Sequence, residues 1–304
     1  MKNFVIVLLV ACALVASGYA QSSLFDRYDV NSTNWAKLPS GGTWDGETPS
    51  VATDGKGTVV VLVRKAPHFR FFKSDGTFIK AWGNDENTNY HSVYFGPDGT
   101  LWLAATNNHV MMKFSPDGEL LMTLGKRGVT GDNASKGAFN RPNAVAFGKN
   151  GEIFVSDGYI NSRIVEFTKD GQFVRIIGGV KGSGPGELDL PHAVDIDAGG
   201  RILVADSANK RISVFGQDGK FVESWPAPGQ GGLAAGSDGT VYVSDVNAGA
   251  VVLLKDGKIV DAIHVQGRPH GLSLDVATSE IYLASTEPMK PNVIKVVRKK
   301  AASN

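Results

Sequence analysis

The chain has 304 residues, with 31 Lys and Arg against 30 Asp and Glu, a formal net charge of +1. That balance argues against a nucleic-acid binder working through a large basic field. Hydrophobic residues at 42% and charged residues at 20% describe a core-forming chain and exclude wholesale disorder. Cys12 is the only cysteine, so the chain can build neither an internal disulfide nor a cysteine-based zinc site.

Lys2, the apolar run 4–16 and the small-residue end Gly18-Tyr19-Ala20 have the plan of a secretory signal peptide. Cleavage after Ala20 is expected, removing residues 1–20 and leaving a secreted or periplasmic chain. The rival is a lipoprotein anchored through Cys12 in Leu9-Val10-Ala11-Cys12. It would leave only eleven signal residues and ranks below ordinary export. No later stretch is long and apolar enough for a membrane span, so no membrane contact is expected after cleavage.

From Ser50 onward the sequence repeats one unit. Copies begin at Ser50, His91, Pro142-Asn143, Pro191-His192, Gly231-Gly232 and Pro269-His270. A turn follows each start, at Asp54-Gly55, Asp98-Gly99, Asn150-Gly151, Gly199-Gly200, Asp238-Gly239 and the irregular 275–279. Then comes an apolar run: 59–63, 101–104, 153–156, 202–205, 241–244 and 281–284. Five copies have a second turn, from Asp75-Gly76 to Asp256-Gly257. Asp-Gly between apolar runs signals a hairpin in which both central residues take positive φ.

Each copy therefore reads as a four-stranded antiparallel meander, and first turns fall 44, 52, 49 and 39 residues apart from Asp54. That period predicts an all-β, six-bladed β-propeller over 50–298. The longest gap holds an insertion at 125–137 that reads as a surface loop. The last copy lacks an outer strand, and the segment 21–49 has no blade of its own. Its residues 24–35 are expected to supply that strand and close the ring. A polar tail, 299–304, ends the chain.

Phe167-Thr168-Lys169-Asp170-Gly171-Gln172-Phe173, and Ile202-Leu203-Val204-Ala205-Asp206 with Lys210-Arg211-Ile212, resemble NHL repeats. That resemblance extends over all six units. It speaks to fold and says little about function.

Three of the six histidines, His91, His192 and His270, occupy the same place in the second, fourth and sixth copies. Alternate blades of a six-blade ring lie a third of a turn apart, so the three converge on the axis. Convergence of three imidazoles with an open position suits a metal ion such as Zn²⁺. The bland alternative is that a polar residue after Pro only satisfies the turn; three in register favour the metal. The matching positions elsewhere are Ser50, Asn143 and Gly232. His68, His109 and His264 are out of register and expected to be solvated, with His68 nearest the site. The loop after strand two returns to the edge where strand one starts. Arg64 and Tyr159 are therefore expected at the same mouth, on either side of His91.

The run Phe154-Val155-Ser156-Asp157-Gly158-Tyr159-Ile160-Asn161-Ser162-Arg163-Ile164-Val165, with Gly184-Pro185-Gly186-Glu187 and Leu190-Pro191-His192, resembles peptidyl-α-hydroxyglycine α-amidating lyases. These cleave a peptide ending in α-hydroxyglycine into a peptide amide and glyoxylate. The resemblance implies zinc on His91, His192 and His270, a catalytic Tyr159 and an Arg64 that holds the substrate carboxylate or the developing charge. In that scheme Tyr159, acidified beside the metal and Arg64, takes the hydroxyl proton. It also implies a small peptide-like substrate and a separate hydroxylating enzyme, since no copper-monooxygenase segment is present. The chain departs from the family at Ile160, Ser207, Arg268 and Gly271, where the family has Cys, Arg, Met and Asp. That Asp is a calcium ligand, which leaves Ca²⁺ in doubt. The alternative functions are a non-catalytic exported propeller that binds a protein or glycan and, more distantly, a calcium-dependent lactonase.

Overall fold

The computed structural model describes residues 27–31, 35–84, 90–227, 231–265, 267–286 and 293–299. The expected signal peptide with Cys12, and the tail beyond Lys299, lie outside the described residues. Six antiparallel sheets of four strands each follow the repeat, and a single 3-10 turn at Thr106–Asn108 is the helical content among the described residues. The result is the expected six-bladed β-propeller.

The burial of each strand explains its sequence. Second strands such as Leu101–Ala105 and Ile153–Asp157 are buried along their whole length, and so read as unbroken apolar runs. Outer strands such as Leu120–Gly125 face water and carry polar and exposed residues. The core is not central. It lies in six clusters, each shared by two neighbouring blades, as where Phe69 and Leu62 of the first meet Val93 and Leu103 of the second. No blade buries its faces alone.

The ring closes on the sixth sheet. Tyr28–Asn31 pairs antiparallel with Val293–Arg298, setting Tyr28 opposite Arg298 and Val30 opposite Val296. A second tie follows at once. Trp35 packs against Tyr282 of the sixth blade and Phe72 of the first, with ring centroids 5.2 and 5.7 Å away, and its indole N–H donates to the Ser74 carbonyl at 2.8 Å. Gly76 is required here: φ is +86°, and a Cβ would lie 1.6 Å from the Trp35 carbonyl oxygen.

The turns correct one expectation. Among the Asp-Gly pairs, Asp256-Gly257 alone has positive φ at both residues, 49° and 72°. At the other Asp-Gly repeat turns the glycine alone is left-handed, for example Gly99 at 79°. There Gly99 N–H closes a turn on the Gly96 carbonyl at 2.9 Å, and the Asp98 carboxylate accepts from Thr100 N–H at 3.2 Å. The aspartate is selected for that side-chain bond rather than for left-handed backbone.

Candidate metal centre

The inner strands begin at one mouth of the channel, and the first residues of alternate blades meet there. The nitrogens of His91, His192 and His270 lie within 4.8 Å of one another, and their ring centroids are 5.0–5.2 Å apart. Each ring is tied to the start of the next blade. Nδ1 of His91 bonds the Asn143 carbonyl at 2.9 Å, Nδ1 of His192 the Gly231 carbonyl at 3.2 Å, and Nδ1 of His270 the Pro49 carbonyl at 2.8 Å. A carbonyl only accepts, so each Nδ1 carries the hydrogen and each Nε2 keeps a lone pair. This is the orientation in which a histidine binds a metal through Nε2.

Electrostatics agree. Burial, followed by the neighbouring His270 and His192, holds His91 well below the ordinary imidazole range. Burial, again with His270, lowers His192 to about 3. His270 is lowered by burial, with the Pro49 carbonyl opposing and Arg64 adding to the shift. Three neutral imidazoles form a donor set that suits zinc, copper, nickel or iron, and the residues present fit a bound cation. The position where the resemblance places a calcium ligand lacks one. Gly271 offers no carboxylate, and a Cβ there would lie 2.7 Å from Ser50 Cα and 2.8 Å from the Pro49 oxygen.

Tyr159 comes from the loop after the second strand of the third blade. Its hydroxyl is 2.7 Å from Nε2 of His91 and 3.4 Å from Nε2 of His192. Burial raises its phenol above the ordinary value, and Arg64 and Arg141 pull the other way without overcoming it. The two guanidiniums therefore do not by themselves acidify it. Arg64 belongs to the same electrostatic neighbourhood, but its Nη1 is held in an ion pair by Glu47, and its buried Nε has no hydrogen-bond partner among the described residues. Glu47 was not singled out from sequence, and neither was Arg141, whose guanidinium lies 5.3 Å from the Tyr159 ring centroid.

A buried network fixes the Tyr159 loop. Asp157, fully buried, accepts from Asn140 N–H at 2.9 Å, Asn161 Nδ2 at 2.8 Å and Arg163 Nε at 2.9 Å. Arg163 continues to the carbonyls of Ser135 and Ala138, while Asn161 reaches the Gly131 carbonyl and Ser162 N–H reaches Asn133. The insertion expected as a surface loop is thus exposed outside yet pinned inside. Asn143 adds a cross-blade tie, giving Nδ2 to the His192 carbonyl at 2.8 Å and taking Gly158 N–H at 3.2 Å. The fourth blade repeats the device. Asp206 accepts from Asp189 N–H at 2.7 Å and Arg211 Nε at 2.7 Å.

Of the out-of-register histidines, expected to be solvated, His68 is a correction. His68 is fully buried, with Nδ1 2.9 Å from the Val63 carbonyl and its ring edge-on to Tyr90. His109 is half-buried and its Nδ1 accepts from Arg141 N–H at 3.2 Å. His264 is half-buried in the outer strand Lys258–His264. Among the departures, Ser207 is buried with its N–H on the Leu190 carbonyl, and Arg268 is exposed but close enough to His270 to lower its pKa. The other mouth of the channel opens into a cavity of about 470 Å³, with Tyr94, Phe147 and Asp195 in its wall.

The NHL repeat family model matches residues 188–215, the stretch that carries His192 and the Asp206 network. NHL repeat-containing protein 3 of Homo sapiens is 27% identical over 88% of this chain and 84% of its own length. A Caenorhabditis elegans protein described as a probable peptidyl-alpha-hydroxyglycine alpha-amidating lyase is 32% identical over 41% of this chain and 36% of its own. Among solved structures, a streptogramin B lyase superposes with a TM-score of 0.62 at 14% identity, covering 91% of this chain and 100% of that one, a likeness of fold. The chain is a six-bladed propeller with an NHL repeat, and the proteins it is similar to include lyases.

Proposed function

We propose that this propeller is a zinc-dependent lyase that converts peptidyl-α-hydroxyglycine to a peptide amide and glyoxylate. The observation that carries the reading is the 2.7 Å contact between the Tyr159 hydroxyl and His91 Nε2, where three neutral imidazoles converge. Zinc held by His91, His192 and His270 would supply a Lewis acid that lowers the pKa of a bound hydroxyl. Tyr159, as the phenolate left once its own proton has gone to solvent, takes the substrate hydroxyl proton as general base. The C–O bond becomes the aldehyde of glyoxylate as the bond from carbon to the amide nitrogen breaks. Tyr159 returns its proton to the nitrogen, so the products leave with atoms and charge balanced.

Arg64 contributes through its charge, which favours an ionised Tyr159 and a developing oxyanion, and its unpartnered Nε is a donor for a substrate oxygen. On this reading the protein works after export, on a small peptide-like substrate supplied by a separate hydroxylating enzyme. Incubating the zinc-loaded protein with an N-acyl-α-hydroxyglycine tests it. Glyoxylate should be released well above the uncatalysed rate, and release at the uncatalysed rate overturns the proposal.

A second reading, a non-catalytic exported propeller that binds a protein or glycan at this mouth, draws support from the departures at Ser207, Arg268 and Gly271. Zinc binding without glyoxylate release would select it.

A further inference from the structure

Like Leu190, which precedes Pro191 in the next blade with φ at +57°, Arg141 has a left-handed backbone. It lies just before Pro142 with φ at +64°, a left-handed conformation that a residue with a Cβ adopts only at a cost and that a following proline discourages further. Its N–H donates to Nδ1 of His109, itself left-handed at φ +60°, so the two strained residues hold each other.

Its side chain differs from those of the arginines that build the networks around the site. Arg64 is paired with Glu47, Arg163 with Asp157 and Arg211 with Asp206, but among the described residues no carboxylate meets Arg141. Arg141 is exposed, with its guanidinium over the Tyr159 ring. A guanidinium held over a ring by cation–π attraction keeps N–H groups for two parallel bonds to a carboxylate.

We infer that Arg141 anchors the anionic end of the substrate, so that the site takes carboxylate-terminated small molecules. The inference rests on the lyase reading for the identity of that substrate. In an α-hydroxyglycine the carboxylate is one bond from the carbon that bears the hydroxyl. A group that holds the carboxylate must therefore lie beside the group that takes the hydroxyl proton. Arg141, with its guanidinium carbon 5.3 Å from the Tyr159 ring centroid, meets that requirement, and it does so with no carboxylate partner among the described residues.

Calorimetric titration of the zinc-loaded protein with N-acetylglycine, which has the carboxylate and no hydroxyl to cleave, tests this directly. N-acetylglycinamide, uncharged at that end, is the control. Arg141→Gln should weaken the acid by about 10-fold or more and leave the amide unchanged, as expected for loss of a charged hydrogen-bonding partner. Arg141→Gly should do the same. Glycine adopts φ of +64° without strain, so misfolding cannot account for its loss. Arg141→Lys should recover part of the affinity. Equal affinity of wild type and Arg141→Gln for the acid, or no binding of it to either, overturns the inference. Absence of glyoxylate release would overturn the lyase reading alone, because the titration does not depend on turnover.

Discussion

The Tyr159 hydroxyl lies 2.7 Å from Nε2 of His91, on the lone pair that a metal would use. Because Nδ1 of His91 gives its hydrogen to the Asn143 carbonyl, Nε2 can only accept, and the phenol must be the donor. The proton of the expected base is thus parked on an expected ligand. A cation that takes this lone pair obliges the hydroxyl to turn away with its proton or to lose it. Metal binding and the state of the phenol are therefore coupled through one nitrogen.

Tyr159→Phe separates the two roles. The ring and its contact with Arg141 remain, and the competing donor on His91 disappears. Zinc should bind at least as tightly as in the wild type, while glyoxylate release falls by about 10²–10⁴-fold, the usual loss for a general base. Equilibrium dialysis and a glyoxylate assay on the same preparation read both. Undiminished turnover would assign the base elsewhere.

The ligand set is tested by metal content. Wild type should bind one zinc ion, and His91→Ala, His192→Ala and His270→Ala should each weaken it by at least about 100-fold, since even outer-shell partners contribute 10–100-fold. His264→Ala, in an outer strand, should leave zinc affinity unchanged. Equal zinc content in all four variants would make the cluster a packing feature.

What the sequence makes legible here is whatever the repeat encodes. Blade number, the closing strand Tyr28–Asn31 and the equivalence of His91, His192 and His270 all follow from periodic punctuation, because position within the repeat is position in the ring. Contacts that cross the repeat are not encoded that way. Arg141 reaches Tyr159 from a different loop, a contact between two loops that no repeat position announces. Glu47 meets Arg64 from the segment before the first blade. His68 is out of register, yet the hairpin that carries it folds inward against Tyr90. The Asp-Gly turns show the same limit on a smaller scale: their location was legible, but φ at the aspartate depends on loop length.

Asp195 predicts a pH dependence away from the candidate centre. Its Oδ2 accepts from Ala235 N–H at 2.8 Å, latching the fourth blade to the fifth, and burial lifts its carboxyl from 3.8 to about 6. A folded-state pKa above the unfolded one gives stability that is full below pH 3.8 and is lost as pH rises through 6. Asp195→Asn cannot ionise. Between pH 4 and 7 wild type should therefore lose up to roughly 3 kcal/mol relative to the variant, at about 1.36 kcal/mol per pKa unit. Urea unfolding of both proteins across that range measures the slope, and parallel curves would show that Asp195 does not titrate there.

Asp157 and Asp206 hold equivalent networks in neighbouring blades but support different residues, and this predicts a split. Asp157 and Arg163 are both fully buried, so Asp157→Ala strands a charge and should cost about 3–5 kcal/mol. The loop it releases carries Tyr159 through Gly158 and Asn161, not a histidine. Turnover should therefore fall while zinc affinity holds. Asp206 instead takes Asp189 N–H and pairs in register with Pro191, the residue before His192. Asp206→Ala should cost less stability, because Arg211 is partly exposed and can be solvated, but it should weaken zinc. Parallel measurement of unfolding, zinc affinity and glyoxylate release in the two variants reads the split. If Asp157→Ala loses zinc and Asp206→Ala keeps it, the networks do not support the residues assigned to them.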